Sequence, residues 1–184
     1  MQYMFHDATS FNQSLNSWNT SNVQDLSYMF DDALDFNHDI GGWVLCSVKD
    51  MSFMFYFAVV FNQDIGGWDV SNVINMSSMF SGADLFNQDI GDWAVDSVIN
   101  MKYMFYKASS FNQDLGDWAV HSVTSMNRMF QSATSFNQDL GWCVVNNADL
   151  YSAFYLSACE PNWIGGRTSC GCLLYTSPSP RDRG

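Results

Sequence analysis

Every 25 positions the same residue types return to the same addresses, and no other property of this 184-residue chain limits its fold so tightly. Phenylalanine stands at Phe5, Phe30, Phe55, Phe80, Phe105 and Phe130, and again at Phe11, Phe36, Phe61, Phe86, Phe111 and Phe136. Tryptophan holds Trp18, Trp43, Trp68, Trp93 and Trp118, and valine holds Val23, Val48, Val73, Val98 and Val123. Methionine keeps two columns and alanine one. Six copies without an insertion make each repeat the same geometric object, stacked on its neighbours. A chain of this kind is a solenoid, with local contacts and a core extended coil by coil.

Within one unit, Met51, Met54, Phe55 and Ala58 fall at i, i+3, i+4 and i+7, the spacing of one face of a short α-helix. The column before that face holds Asp25, Asp50, Asn75, Asn100 and Ser125, all good helix N-caps. The stretch from Phe61 to Val70 contains helix-breaking glycines and spaced apolar residues, and suits one or two short strands or extended bends. The expected fold class is an α/β solenoid whose 25-residue coils each read helix, turn, strand, turn. The methionine columns read as adaptable core filler.

Stacked polar columns have their own consequences. Asn37, Asn62, Asn87, Asn112 and Asn137 are expected to form a buried ladder satisfying the amides of adjacent coils. With Trp43, Trp68, Trp93 and Trp118 they make up the structural ladders. Aspartate recurs at 39, 64, 89, 114 and 139, one coil apart. Like charges so placed must accept hydrogen bonds, face water or share a cation. Asp64, Asp89 and Asp114 therefore form a candidate calcium column, set against the plainer reading of solvated or backbone-bonded carboxylates. No other metal and no cofactor is expected.

The unit M-x-x-M-F-x-x-A-x-x-F-N-Q-D-[IL]-G-x-W-x-V-S-x-V, as in Met51 to Val73, resembles the repeat of the bacterial-surface-protein-like (BspA-like) family of mycoplasma surface lipoproteins and marine unicellular eukaryotes. The resemblance runs from Met1 to about Phe154. It implies right-handed, leucine-rich-repeat-like coils, an extracellular or cell-surface location, and a role in adhesion or in recognising a protein or glycan.

Residues 1–141 are read as the repeat solenoid, about five and a half coils, truncated at the N-terminus because Met1 sits in a methionine column of the repeat. A signal peptide is then presumed to lie upstream. After the sixth copy the register slips by one residue at Trp142, and residues 142–171 are expected to be a degenerate capping coil. Cys143, Cys159 and Cys170 cluster there as disulfide candidates whose connectivity is not deducible, while Cys46 reads as a lone exposed thiol. The segment from Cys172 to Asp182 resembles a translated sequencing adapter, so residues 172–184 are expected to be a non-native, disordered tail.

Nineteen acidic against seven basic residues give a formal charge of −12 and no basic stripe for phosphates, which argues against nucleic acid. The longest apolar run, Phe53 to Phe61, is far short of the roughly 20 residues of a membrane span. His6, His38 and His121 occupy different columns and the acidic columns offer no asymmetry of environment, so the chain is not expected to be an enzyme.

A binding surface is expected where the repeat varies. The residues around each expected helix end are polar in most copies, but in the third they are Tyr56, Phe57, Val59 and Val60, with Leu34 and Leu85 in matching columns one coil away. These six should form an apolar patch that contacts an unknown protein or glycan. The alternatives are a structural spacer without a ligand and a calcium-stabilised extracellular array.

Overall fold

In the computed structural model, residues 1–159 are described except Cys143, Asn146 and Asn147. Cys170, the end of the expected cap and the tail 172–184 thus lie outside the described residues. Among the described residues seven coils follow one another, numbered here by the phenylalanine each contributes: Phe5, Phe30, Phe55, Phe80, Phe105, Phe130 and Phe154.

The helix expected over residues 51–58 is not formed. The N–H groups of Met51, Phe53, Phe55 and Phe57 donate to the carbonyls of Asn75, Ser77, Met79 and Ser81 in the next coil, at 2.8–2.9 Å. Those of Met54, Tyr56 and Ala58 donate three residues back within their own coil, at 3.1–3.3 Å. Phe53 and Phe57 have φ values of +58° and +50°, the left-handed region at the third residue of a type II β-turn. All seven coils carry such a pair of left-handed residues four apart, from Tyr3 and Asp7 to Ser152 and Leu156. A helix closes its N–H groups within itself; this turn segment gives every second one to its neighbour. Two consecutive turns place positions 1, 4, 5 and 8 inward just as a helix does, so Met51, Met54, Phe55 and Ala58 are fully buried without one.

The strands expected between Phe61 and Val70 are not formed either, and the extended pairing lies elsewhere. Each coil from the second on contributes one rung, Asp25, Asp50, Asn75, Asn100, Ser125 and Asp149, joined by parallel bridges. All but Asp149 are residues expected to cap helices, and the Asp and Asn side chains among the six do accept the amide two residues on, as Asp50 Oδ1 does from Ser52 at 2.8 Å. That bond closes an Asx turn. Among the described residues the one helical element is a 3-10 turn, Val120–Ser122.

Three aromatic ladders fill the core. Phe30, Phe55, Phe80, Phe105 and Phe130 stack with centroids 5.4–5.7 Å apart. Each also lies 4.0–4.1 Å from the second phenylalanine of its own coil. The tryptophans stack at 6.1–6.4 Å and are buried. Their indole N–H groups reach back a coil, Trp68 to the Ile40 carbonyl and Trp93 to that of Ile65, both at 3.1 Å. This bond needs an indole, and a phenyl ring could not replace it.

The one-residue slip leaves the ladders intact. Trp142 still stacks on Trp118 at 6.1 Å and donates to Leu115 at 2.8 Å, and Phe154 lies 5.4 Å from Phe130. The shortened loop is closed by Gly141 at φ +56°. In the full-length loops a different constraint selects glycine: a Cβ on Gly41 or Gly66 would meet the next coil's Asp64 or Asp89 carbonyl oxygen at 2.6 Å.

Candidate functional site: the outward face of the turn segment

The turns bury four columns in full; the other four vary from coil to coil, and on coil 3 these are Ser52, which is buried, and Phe53, Tyr56 and Phe57, which are half-buried. Followed along the stack, they form one face whose character changes from coil to coil. Coils 1 and 2 contribute His6, Asp7, Asp31 and Asp32. Coil 3 is aromatic. Coil 4 has only Ser77, Ser78, Ser81 and Gly82 in these columns, the last three of them buried. Coils 5 and 6 contribute Lys102, Tyr103, Tyr106, Lys107 and Arg128.

Of the six residues expected to make an apolar patch, Leu34 and Leu85 are exposed, and Tyr56, Phe57, Val59 and Val60 are half-buried. Tyr56 meets Phe57 edge-on at 4.6 Å, and Leu85 N–H donates to the Val59 carbonyl at 3.1 Å. Phe57 packs onto the next coil at Gly82, whose Cβ, if present, would lie 2.8 Å from the Phe57 ring. Gly82 has φ +71°. The glycine therefore makes room for the ring and accounts for its partial burial.

Sequence reasoning left Phe53 out, because attention went to the expected helix end and not to all outward positions of the turns. Phe53 continues a surface ring column with Tyr3 and Tyr28, each step 4.5 Å and nearly parallel. It also missed the cationic end. Lys102 and Lys107 lie over the rings of Tyr103 and Tyr106 at 5.2 and 5.3 Å, and Arg128 lies 5.7 Å from both Tyr103 and Tyr151. The signal was legible as three cations in outward columns of neighbouring coils of a chain with few cations.

The acidic end holds one unusual carboxyl. Asp31 is buried, its Oδ2 3.0 Å from His6 Nδ1, and among the described residues its Oδ1 has no partner. Burial pushes its pKa up to about 6; His6 pulls it down, and the charges of Asp32 and Asp7 add to the rise. Burial, with Asp31 and Asp32 behind it, also raises the Tyr56 hydroxyl.

The polar ladders lie elsewhere. The asparagines form one, with Asn62 N–H donating to Asn37 Oδ1 at 2.9 Å and Asn87 N–H to Asn62 Oδ1 at 3.0 Å. Expected to be buried, they are instead exposed, or half-buried at Asn62, because amide and glutamine donors of the next coil satisfy the side-chain oxygens of Asn37, Asn62, Asn87 and Asn112 at the surface. Asp64, Asp89 and Asp114 are exposed, and each accepts the N–H of the glycine two residues on at 2.9–3.0 Å. Among the described residues no group of three or more His, Cys, Asp or Glu is placed to hold a metal ion. Cys46 is exposed and free, Cys159 is disulfide-bonded, and Cys143 and Cys170 lie outside the described residues. No helix among the described residues is long and apolar enough to cross a membrane.

A family model described as mycoplasma protein of unknown function, DUF285, matches residues 1–80 and again residues 59–162. No curated protein and no solved structure matches the chain.

Proposed function

The chain belongs to that family of mycoplasma-type repeat proteins of unknown function, and from this premise we propose that it is a surface or secreted solenoid, BspA-like, that recognises a protein or glycan through the outward face of its turn segments. One observation carries the reading. The inward columns repeat from coil to coil, whereas outward positions change, and coil 3 places Tyr56, Phe57, Val59 and Val60 where other coils carry mostly polar or small residues. Packing requires the inward columns; it does not require aromatic rings outside. Partly exposed aromatic and aliphatic side chains grouped on a polar surface are the usual anchors of a contact site. An extracellular location is part of the proposal.

The test is binding of the purified chain to panels of immobilised glycans and cell-surface proteins, compared with the double variant Phe57→Ser, Val59→Ser. A folded variant that loses at least tenfold in affinity supports the reading, a change on the order of 1.4 kcal/mol. Unchanged binding of the folded variant to every ligand the parent chain recognises would sink it.

A further inference from the structure

We propose that the partner of this face is a second copy of the same chain, packed turn face to turn face with the two stacks antiparallel. This rests on the reading of the face as a recognition surface and commits it to one occupant. The face is polarised along the stack: acidic in coils 1 and 2, aromatic in coil 3, small in coil 4, and basic and aromatic in coils 5 and 6. A two-fold axis lying across the stack between coils 3 and 4 reverses the order of coils but keeps each column opposite itself. Coil 2 then faces coil 5, and coil 1 faces coil 6.

Under that operation unlike groups meet. Asp32 and Lys107 share one column three coils apart, so Asp32 of one copy faces Lys107 of the other, and the symmetry makes the pair twice. Neither has an ion-pair partner within its own chain among the described residues, where the ion pairs are those of His6 with Asp7 and Asp31. Tyr28 faces Tyr103, and exposed Tyr3 faces Arg128, a guanidinium already held against two tyrosine rings. At the centre the half-buried Phe53 and Tyr56 come opposite coil 4, whose Ser78 and Ser81 are small and buried, so that large side chains meet a part of the face with none projecting. A ligand suited to the basic end alone would leave the acidic end and the aromatic centre unmet. A second copy meets all three, and matching of opposite charges across an interface fixes its register.

The experiment is sedimentation velocity of the purified chain over a range of concentrations at low and high salt. The expected result is a monomer–dimer equilibrium that weakens as salt rises. Lys107→Asp and Asp32→Lys should each raise the dissociation constant roughly tenfold, because each sets like charges opposite one another. The double variant Asp32→Lys, Lys107→Asp should return it to within about threefold of the parent, since the exchanged charges still face each other. Both substitutions suit the backbone, because this left-handed column already accepts Asp32 at φ +55° and Lys107 at φ +59°; a thermal melt of each variant checks that it folds. A monomer at every concentration and low salt overturns the proposal. A double variant weaker than either single overturns the antiparallel register. A monomeric chain whose binding to a glycan or another protein is lost in the Phe57→Ser, Val59→Ser variant leaves the recognition reading standing and removes this one.

Discussion

The inward and outward columns of the turn segment share one backbone and obey different rules. Inward, Phe55, Phe80 and Phe105 are fully buried, and each stacks on the coil before and the coil after. A change there is felt at two junctions at once. In the variable columns the same turns carry Asp31 and Asp32, then Tyr56 and Phe57, then Ser81 and Gly82, then Tyr106 and Lys107, of which Asp31, Ser81 and Gly82 are buried. The difference shows that stacking constrains half of the turn segment and leaves the other half free to vary.

The largest effect should come from breaking an inward ladder. Phe80→Ala removes a ring 4.0 Å from Phe86 and within 5.7 Å of Phe55 and Phe105, and should cost about 3–5 kcal/mol in urea unfolding. Tyr56→Ala, outward on the preceding coil, should cost about 1 kcal/mol or less. Equal losses would remove the distinction between the two sets of columns.

A smaller effect separates two adjacent glycines. Gly66→Ala would put a Cβ 2.6 Å from the Asp89 carbonyl oxygen, whereas a Cβ at Gly67 meets nothing within 4 Å. The first should lower stability by about 1–3 kcal/mol and the second by less than about 0.5 kcal/mol, as read from melting curves.

The smallest effect lies at Asp31, a buried carboxyl in one of the variable columns. Its folded pKa, raised to about 6, lies above the ordinary carboxylate value of 3.8. The folded state thus holds its proton more tightly, and stability falls as pH rises from about 4 through 6. Asp31→Asn should stabilise the chain above pH 6 by on the order of 1 kcal/mol, an advantage that fades below pH 4. Denaturation midpoints of the pair across that range measure it; an advantage growing toward acid would contradict the assignment.

Much of this was legible in the sequence. The identity of each inward residue followed from repetition, as did the aromatic ladders, and the oxygen-bearing column at Asp25, Asp50 and Asn75 was recognised as one that bonds free backbone amides. The local backbone was not legible. Met51, Met54, Phe55 and Ala58 have the same spacing whether a helix or two type II turns carry them, and Phe53 and Phe57 give no hint of positive φ, since bulky residues rarely adopt it. The burial of the asparagine ladder was misjudged because an amide repeated in every coil suggests an interior need, whereas donors of the next coil meet it at the surface. On the candidate face, Tyr56 to Val60 stood out as apolar exceptions within polar columns. Phe53, Lys102 and Arg128 gained meaning only once the outward columns were aligned.

By itself the sequence determined the 25-residue period, the residues that stack and the coil at which the pattern slips, because repetition converts sequence spacing directly into spatial adjacency. Tertiary structure decided how each coil is built. A helix would have kept its N–H groups to itself, but the neighbouring coil offers carbonyls at matching intervals. Bonds between coils therefore replace bonds along a helix, and left-handed residues are tolerated where those bonds hold them.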